Sequence, residues 1–200
     1  TATFPGDTAF SRHVAADFSD GNNYLLSSIR TTLHIGTHTD APNHYHPEGC
    51  SIAERDLNYY LGQCQVISPH VPQGARIRVA NLPPIKAKRV LFKTNSYPNP
   101  DKWNGDFSSL SAELVNHLAA QGVILVGIDT PSIDPAPDKI LESHMAIHKN
   151  NMAIIEGLVL QHVPDGVYSL IALPLKFHGA DASPVRAILL SEKESDLCKT

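Results

Sequence analysis

Three imidazoles and a carboxylate fall within eleven residues of this chain, in the run HIGTHTDAPNH over 34–44, as His34, His38, Asp40 and His44. Imidazole nitrogen and carboxylate oxygen are the donors that borderline divalent cations such as zinc prefer. The residues just before, IRTTL over 29–33, are β-branched and alternating, so the run is expected to enter on a strand spanning 28–35. Side chains at even spacing share one face of a strand, and 34, 38, 40 and 44 are all even. A straight strand would still hold His34 and His38 roughly 13 Å apart, at about 3.3 Å per residue, whereas a metal needs each donor within about 2.1 Å. The chain must therefore bend between them, and Gly36 is the residue that permits it. Pro42 then bars continuation as a ladder-bonded central strand.

With 11 histidines in 200 residues some clustering is expected by chance, but four metal-type residues around a glycine hinge favour a metal site. A second concentration lies at His144, His148 and Glu156. The two histidines are four apart on an expected helix and so share a face. Asn150-Asn151 marks a turn, and 152–156 reads as a strand ending in the carboxylate, so a helix-turn-strand hairpin returns residue 144 beside residue 156. Such a pair is ordinarily a solvated helix face, and it gains weight only beside the first cluster. His34, His38 and Asp40 suffice for one hydrolytic zinc with an open position. Adding His144 and Glu156 makes five ligands, which suit two ions sharing Asp40.

The elements that must position these residues are short. Strands are expected over 63–68, 89–93, 123–128, 153–155 and 168–173. Helical patterns are expected at 51–54, where Ser51 and Glu54 have capping-box spacing, at 110–121 behind Ser108 and Ser109, and at 140–148. The 15 prolines sit between elements, which points to an irregular α/β domain with ordered loops. Two hundred residues without repeat, low-complexity tract or boundary suit one domain, 1–200. The formal charge of −4, with no lysine-arginine run, makes nucleic acid and anionic membrane poor partners, and no apolar stretch is long enough to span a bilayer. Cys50, Cys64 and Cys198 are odd in number and form no CxxC pattern, which favours reduced thiols in the cytoplasm. The opening TATFPGD has no initiator Met and is read as a trimmed start.

The run over 34–44 resembles the HxGTHxDxPxH signature of the bacterial kynurenine formamidases, within the metal-dependent cyclase-like hydrolases, at all seven specified positions. FPGD over 4–7 is similar to that family's WPGD segment. GIDTPSID over 127–134, IEGL over 155–158, LIALPL over 170–175 and ADASPVRA over 180–187 also resemble family stretches, in the same order. The resemblance implies a mixed-sheet, swivelling β/β/α-type fold and a homodimer. It implies one divalent cation, zinc, on His34, His38 and Asp40, and a second on Asp40, His144 and Glu156. His44 would be the proton-transfer residue, while His148 has no ligand role. Phe4 replaces the family Trp and would bear on how an aromatic substrate stacks. Met145 and the Phe177-His178-Gly179 run also depart from the pattern, without removing a ligand.

The activity implied is hydrolysis of N-formyl-L-kynurenine to L-kynurenine and formate. Two dications would activate a water and polarise the formyl oxygen, and His44 would protonate the aryl amine as the C–N bond breaks. His44 has a second reading, as a histidine that orients a ligand. Asp129 either shapes the pocket or caps the Thr130-Pro131 turn. Relatives that open lactams such as isatin are the nearest alternative activity, and a catalytically silent metal-binding homologue is another, although a purely structural site has no use for a proton donor. A zinc deaminase is excluded because PCxxC is absent.

Overall fold

The computed structural model describes residues 1–191 and Glu194. The chain runs through β1 (Ser11–Ala16), β2 (Leu26–Arg30), β3 (His38–Asp40), β4 (Leu61–Ile67), β5 (Arg76–Ile77), β6 (Arg89–Phe92), β7 (Ser109–Leu110), α1 (Ala112–Ala120), β8 (Leu125–Ile128), α2 (Glu142–Lys149), β9 (Ala153–Ile155), β10 (Gly166–Ile171), β11 (Ala182–Pro184) and β12 (Ile188–Leu190). Six strands form one mixed sheet in the order β12-β10-β4-β6-β8-β9. The β4-β6-β8-β9 half is parallel, and β10 runs antiparallel to both β4 and β12. This is the mixed α/β architecture expected from the sequence.

The parallel half is covered on both faces, which is why its strands read as continuous apolar runs. Alternation sorts their side chains. Val90, Phe92, Val126, Ile128 and Ile154 pack with Leu114, Val115 and Leu118 of α1 and Ile147 of α2. Leu91, Leu125, Ala153 and Ile155 pack on the other face with Tyr60, Cys64 and Leu170. Each fully buried aliphatic side chain contributes about 1.5–3 kcal/mol relative to exposure, so the layers on either side make the sheet a rigid platform.

Several elements begin or end away from their expected bounds. The strand expected over 28–35 stops at Arg30, and residues 31–37 form no ladder. There the Thr32 hydroxyl accepts from the His34 amide at 3.3 Å, a local bond that competes with strand pairing. His34 therefore does not share a strand face with His38; a bend joins them, with Gly36 at φ +58° as its left-handed residue. The helix expected over 110–121 starts at Ala112, because Ser111, rather than Ser108 or Ser109, caps it by accepting from Leu114 N at 3.2 Å. Ser109 instead pairs with Arg76 as β7. At 51–54 only a single 3-10 turn forms, closed by Ser51 N and Oγ donating to Glu54 Oε2 at 2.8 and 2.7 Å.

The β1–β2 hairpin stands apart from the main sheet. Its residues are exposed apart from Ala16, and it carries Val14, Leu26 and Ile29 outward, with Phe10, Phe18, Tyr24 and Leu25 flanking them. Cys50 and Cys64 carry free thiols, and Cys198 lies outside the described residues. Among the described residues no helix is long and apolar enough to cross a membrane.

Candidate metal centre

Two short strands outside the main sheet build the site. Strand β3 pairs antiparallel with β11, setting Ala182 opposite Asp40, and on its other side His38 exchanges backbone hydrogen bonds of 3.1 and 2.9 Å with Glu156, just past β9. Gly157 follows at φ +63°, and a Cβ there would overlap the Gly36 carbonyl. The two glycines thus let the hinge before His38 and the end of β9 approach closely enough to set both side chains into one buried centre.

Five side chains meet there. The Nε2 of His38 lies 3.4 Å from Asp40 Oδ1 and 3.3 Å from Glu156 Oε2. The Nε2 of His144 lies 3.4 Å from Asp40 Oδ2 and 3.5 Å from Glu156 Oε1, and His34 Nδ1 is 2.9 Å from Asp40 Oδ1. The α2-turn-β9 hairpin delivers His144 beside Glu156 as its spacing suggests. Donor atoms of His34, His38 and Asp40, and separately of Asp40, His144 and Glu156, lie within 4.8 Å of one another. Asp40 belongs to both of these, and a third group, His34, His44 and Asp181, lies beside them.

The donor set fits metal ions. His38 Nε2 and both Asp40 carboxylate oxygens are buried and make no hydrogen bond. Unsatisfied buried polar atoms cost about 1–3 kcal/mol each, a cost that cations between them would remove. The remaining atoms are tied down. His38 Nδ1 donates to Gly36 O at 3.0 Å, and His144 Nδ1 donates to Asp134 Oδ2 at 2.8 Å, which leaves each Nε2 directed at the centre. Such outer partners fix the tautomer and orientation of a ligating imidazole. Arg76 Nη1 donates to Asp134 at 2.8 Å, and Glu156 Oε1 accepts from Ile133 N at 2.7 Å.

Electrostatics point the same way. Burial disfavours charged His38, yet the neighbouring carboxylates of Asp40 and Glu156 outweigh it and raise the imidazole to about 10. Burial likewise opposes the charge on Asp40, but His144, His34 and His38 hold its carboxyl well below the usual range. His44 differs. It sits on the 3-10 turn Pro42–His44, its ring 4.1 Å from that of His34, and burial lowers its pKa. His148 belongs to none of these donor groups and stacks on His46, ring centroids 3.9 Å apart.

A narrow cleft with about 50 Å³ of enclosed space lies against His34 and His38. Its walls include Phe4, Tyr97 and Trp103, and the Phe4 and Trp103 ring centroids are 4.5 Å apart. Asp129 also lines it, but the carboxylate does not cap the Thr130-Pro131 turn. It accepts from Thr94 N at 2.9 Å, Thr94 Oγ1 at 2.6 Å and Asn95 N at 2.8 Å, clamping the loop after β6. Sequence reasoning missed Trp103, Asp134 and Asp181. A lone Trp in a proline-rich loop carries no periodic signal. The two aspartates lay inside stretches matched to the family, without a role.

Residues 2–135 match the Cyclase family model. The chain belongs to the Cyclase family. Among its relatives in the curated proteins, the kynurenine formamidase of Sphingopyxis alaskensis is 42% identical over 189 residues, covering 93% of this chain and 90% of that protein. The kynurenine formamidase of Erythrobacter litoralis is 43% identical over 188 residues, covering 93% and 86%. These relatives place the chain on the kynurenine formamidase branch of the family. A solved structure described as a potential metal-dependent hydrolase with cyclase activity superposes with a TM-score of 0.75 at 31% identity, covering 89% of this chain and 85% of that one. Isatin hydrolase A from Labrenzia aggregata shares the fold, with a TM-score of 0.74 at 21% identity and coverage of 94% and 86%.

Proposed function

We propose that this Cyclase-family chain is a metal-dependent amidase that hydrolyses N-formyl-L-kynurenine to L-kynurenine and formate. The observation that carries the reading is the pair of ligand groups sharing Asp40 beside an aromatic-walled cleft. His34, His38 and Asp40 would hold one divalent cation and Asp40, His144 and Glu156 a second, zinc at both positions. When bound, the cations would bring a water to hydroxide near neutral pH and polarise the formyl oxygen.

The chain's own residues supply the rest. Phe4 and Trp103 offer faces to an aryl substrate. His44, its pKa lowered by burial, is neutral at pH 7 and able to take a proton from the attacking water. Cations nearby would lower it further, in the same direction. It then passes that proton to the aryl nitrogen as the C–N bond breaks, since the amine anion is a poor leaving group. The enzyme acts on a small molecule, in the cytoplasm.

We place a homodimer alongside this reading, and the exposed apolar hairpin is the surface that supports it. Its seven outward apolar residues are 40–66% exposed. Clustered exposed apolar residues of this kind mark sites of association between proteins. Light scattering should find a dimer that Ile29→Asp weakens; a monomeric parent chain would overturn the assembly.

The activity is tested by measuring kcat/KM for N-formylkynurenine and isatin on zinc-loaded protein. Formamide hydrolysis faster by at least tenfold is expected. Faster isatin opening would overturn the substrate assignment.

A further inference from the structure

We propose that Asp181 is a positioning residue that sets the ring orientation of His34, the histidine packed against His44. This rests on the reading that His34 holds a metal. Asp181 immediately precedes β11, and its backbone is locked to the strand carrying Asp40: Ala41 N donates to Asp181 O at 2.8 Å, and Ala182 pairs with Asp40. One flank is pinned as well, with Ile52 N donating to Ala180 O at 3.0 Å. The carboxylate is thus carried on a fixed frame although its side chain is 47% exposed.

Its Oδ2 lies 2.9 Å from His34 Nε2 and 3.7 Å from His44 Nδ1. A carboxylate can only accept, so the first contact requires the proton of His34 to sit on Nε2. Nδ1 lies 2.9 Å from Asp40 Oδ1, likewise an acceptor, so it would give up its proton and present a lone pair to the centre only when a cation binds, while Nε2–H stays on Asp181. His34 thereby ligates through the ring nitrogen opposite to the one His38 and His144 use. Asp181 Oδ2 is beyond hydrogen-bond distance of His44 Nδ1, so its hold is on His34 and reaches His44 only through the contact between the two rings. Asp181 forms a third donor group with His34 and His44, and through His34 it fixes the ring that packs 4.1 Å from that of His44.

The test compares Asp181→Ala with Asp181→Asn, whose amide oxygen can accept the same bond. Nitrogen NMR of ¹⁵N-histidine protein, before and after zinc is added to chelator-treated samples, reads the tautomer of His34. Zinc affinity is measured by competition with a chromophoric chelator. Asp181→Ala should lose the Nε2–H form and bind zinc 10–100-fold more weakly, the usual effect of removing an outer partner of a ligand. Its kcat should fall while KM stays within about threefold, and Asp181→Asn should restore the tautomer and most of the affinity. An alanine variant with wild-type tautomer and zinc affinity would overturn the proposal, as would an asparagine variant no better than alanine. If the alanine variant does not fold, Asp181→Ser, too short to reach His34, takes its place under the same expectations. The NMR and zinc readouts need no substrate, so absence of formamidase activity in the parent would count against the proposed function and not against Asp181. A parent that binds no zinc would sink the metal reading, and the tautomer comparison would still decide the role of Asp181.

Discussion

The backbones of His38 and Glu156 exchange two hydrogen bonds, of 3.1 and 2.9 Å, so the two side chains enter the centre from one rigid bridge. Gly157 makes that bridge possible, at φ +63° and with a Cβ that would overlap the Gly36 carbonyl. Gly157→Ala should therefore destabilise the fold by at least about 2 kcal/mol, combining left-handed strain with a backbone clash. Denaturant unfolding of the two proteins checks this, and equal midpoints would show that the bridge tolerates a side chain.

Proton transfer and metal binding separate on two variants. His44→Ala should retain its metal yet lose about 10²–10⁴-fold in turnover, the usual contribution of a positioned proton carrier. Asp40→Ala should lose metal, since Asp40 is the member common to both ligand groups. Metal content by mass spectrometry and rate are to be read on the same samples. Metal lost from the His44 variant would make that residue a ligand.

Metal uptake should release protons and strengthen as pH rises. In the metal-free protein, Asp40 and Glu156 overcome burial to raise His38 to about 10, and His144 is raised well above its usual range by Asp134, Asp40 and Glu156 against the same opposition. His38 therefore carries an extra proton at pH 7.5 that a cation must displace, and His144 is shifted in the same direction. Calorimetry of zinc binding in buffers of different ionisation enthalpy should show the release. The sign for stability follows. The His38 contribution is fully present below its unfolded value near 6.5 and fades as pH rises toward 10, so metal-free protein should weaken over that window while zinc-loaded protein does not.

Arg76 supports the centre from behind. It donates to Asp134 at 2.8 Å, to Asp138 at 2.7 Å and to Leu110 O at 2.7 Å. Arg76→Ala leaves Asp134 buried without that partner, which should cost about 3 kcal/mol of stability. Looser orientation of His144 should also weaken zinc binding by about tenfold. Thermal unfolding and chelator competition measure the two effects, and an unchanged zinc affinity would confine Arg76 to the fold.

Trp103 should act on binding rather than on chemistry. It packs on Phe4 in the wall of the cleft, ring centroids 4.5 Å apart, and is not one of the five residues of the centre. Trp103→Ala should raise KM for N-formylkynurenine by about tenfold, the loss of roughly 1.4 kcal/mol of ring contact, with kcat nearly unchanged. A fall in kcat at constant KM would contradict that assignment.

His34, His38, Asp40 and Gly36 were legible in the sequence because metal ligands and a hinge lie within a few residues, where donor chemistry and backbone freedom are local properties. The buried parallel strands were legible for a similar reason, since burial on both faces writes a continuous apolar run. Pairing of His144 with Glu156 was only suggested by a turn between them. The union of the two clusters was decided in space, by the close approach of Gly36 and Gly157 and by the pairing of β3 with β11. Strands of two or three residues such as β3 and β11 have no periodicity to read. Asp134, Asp181 and Trp103 also had to wait for the folded chain. Each acts through contacts to residues distant in sequence, and an isolated aspartate or tryptophan gives no sign of which ring it will meet.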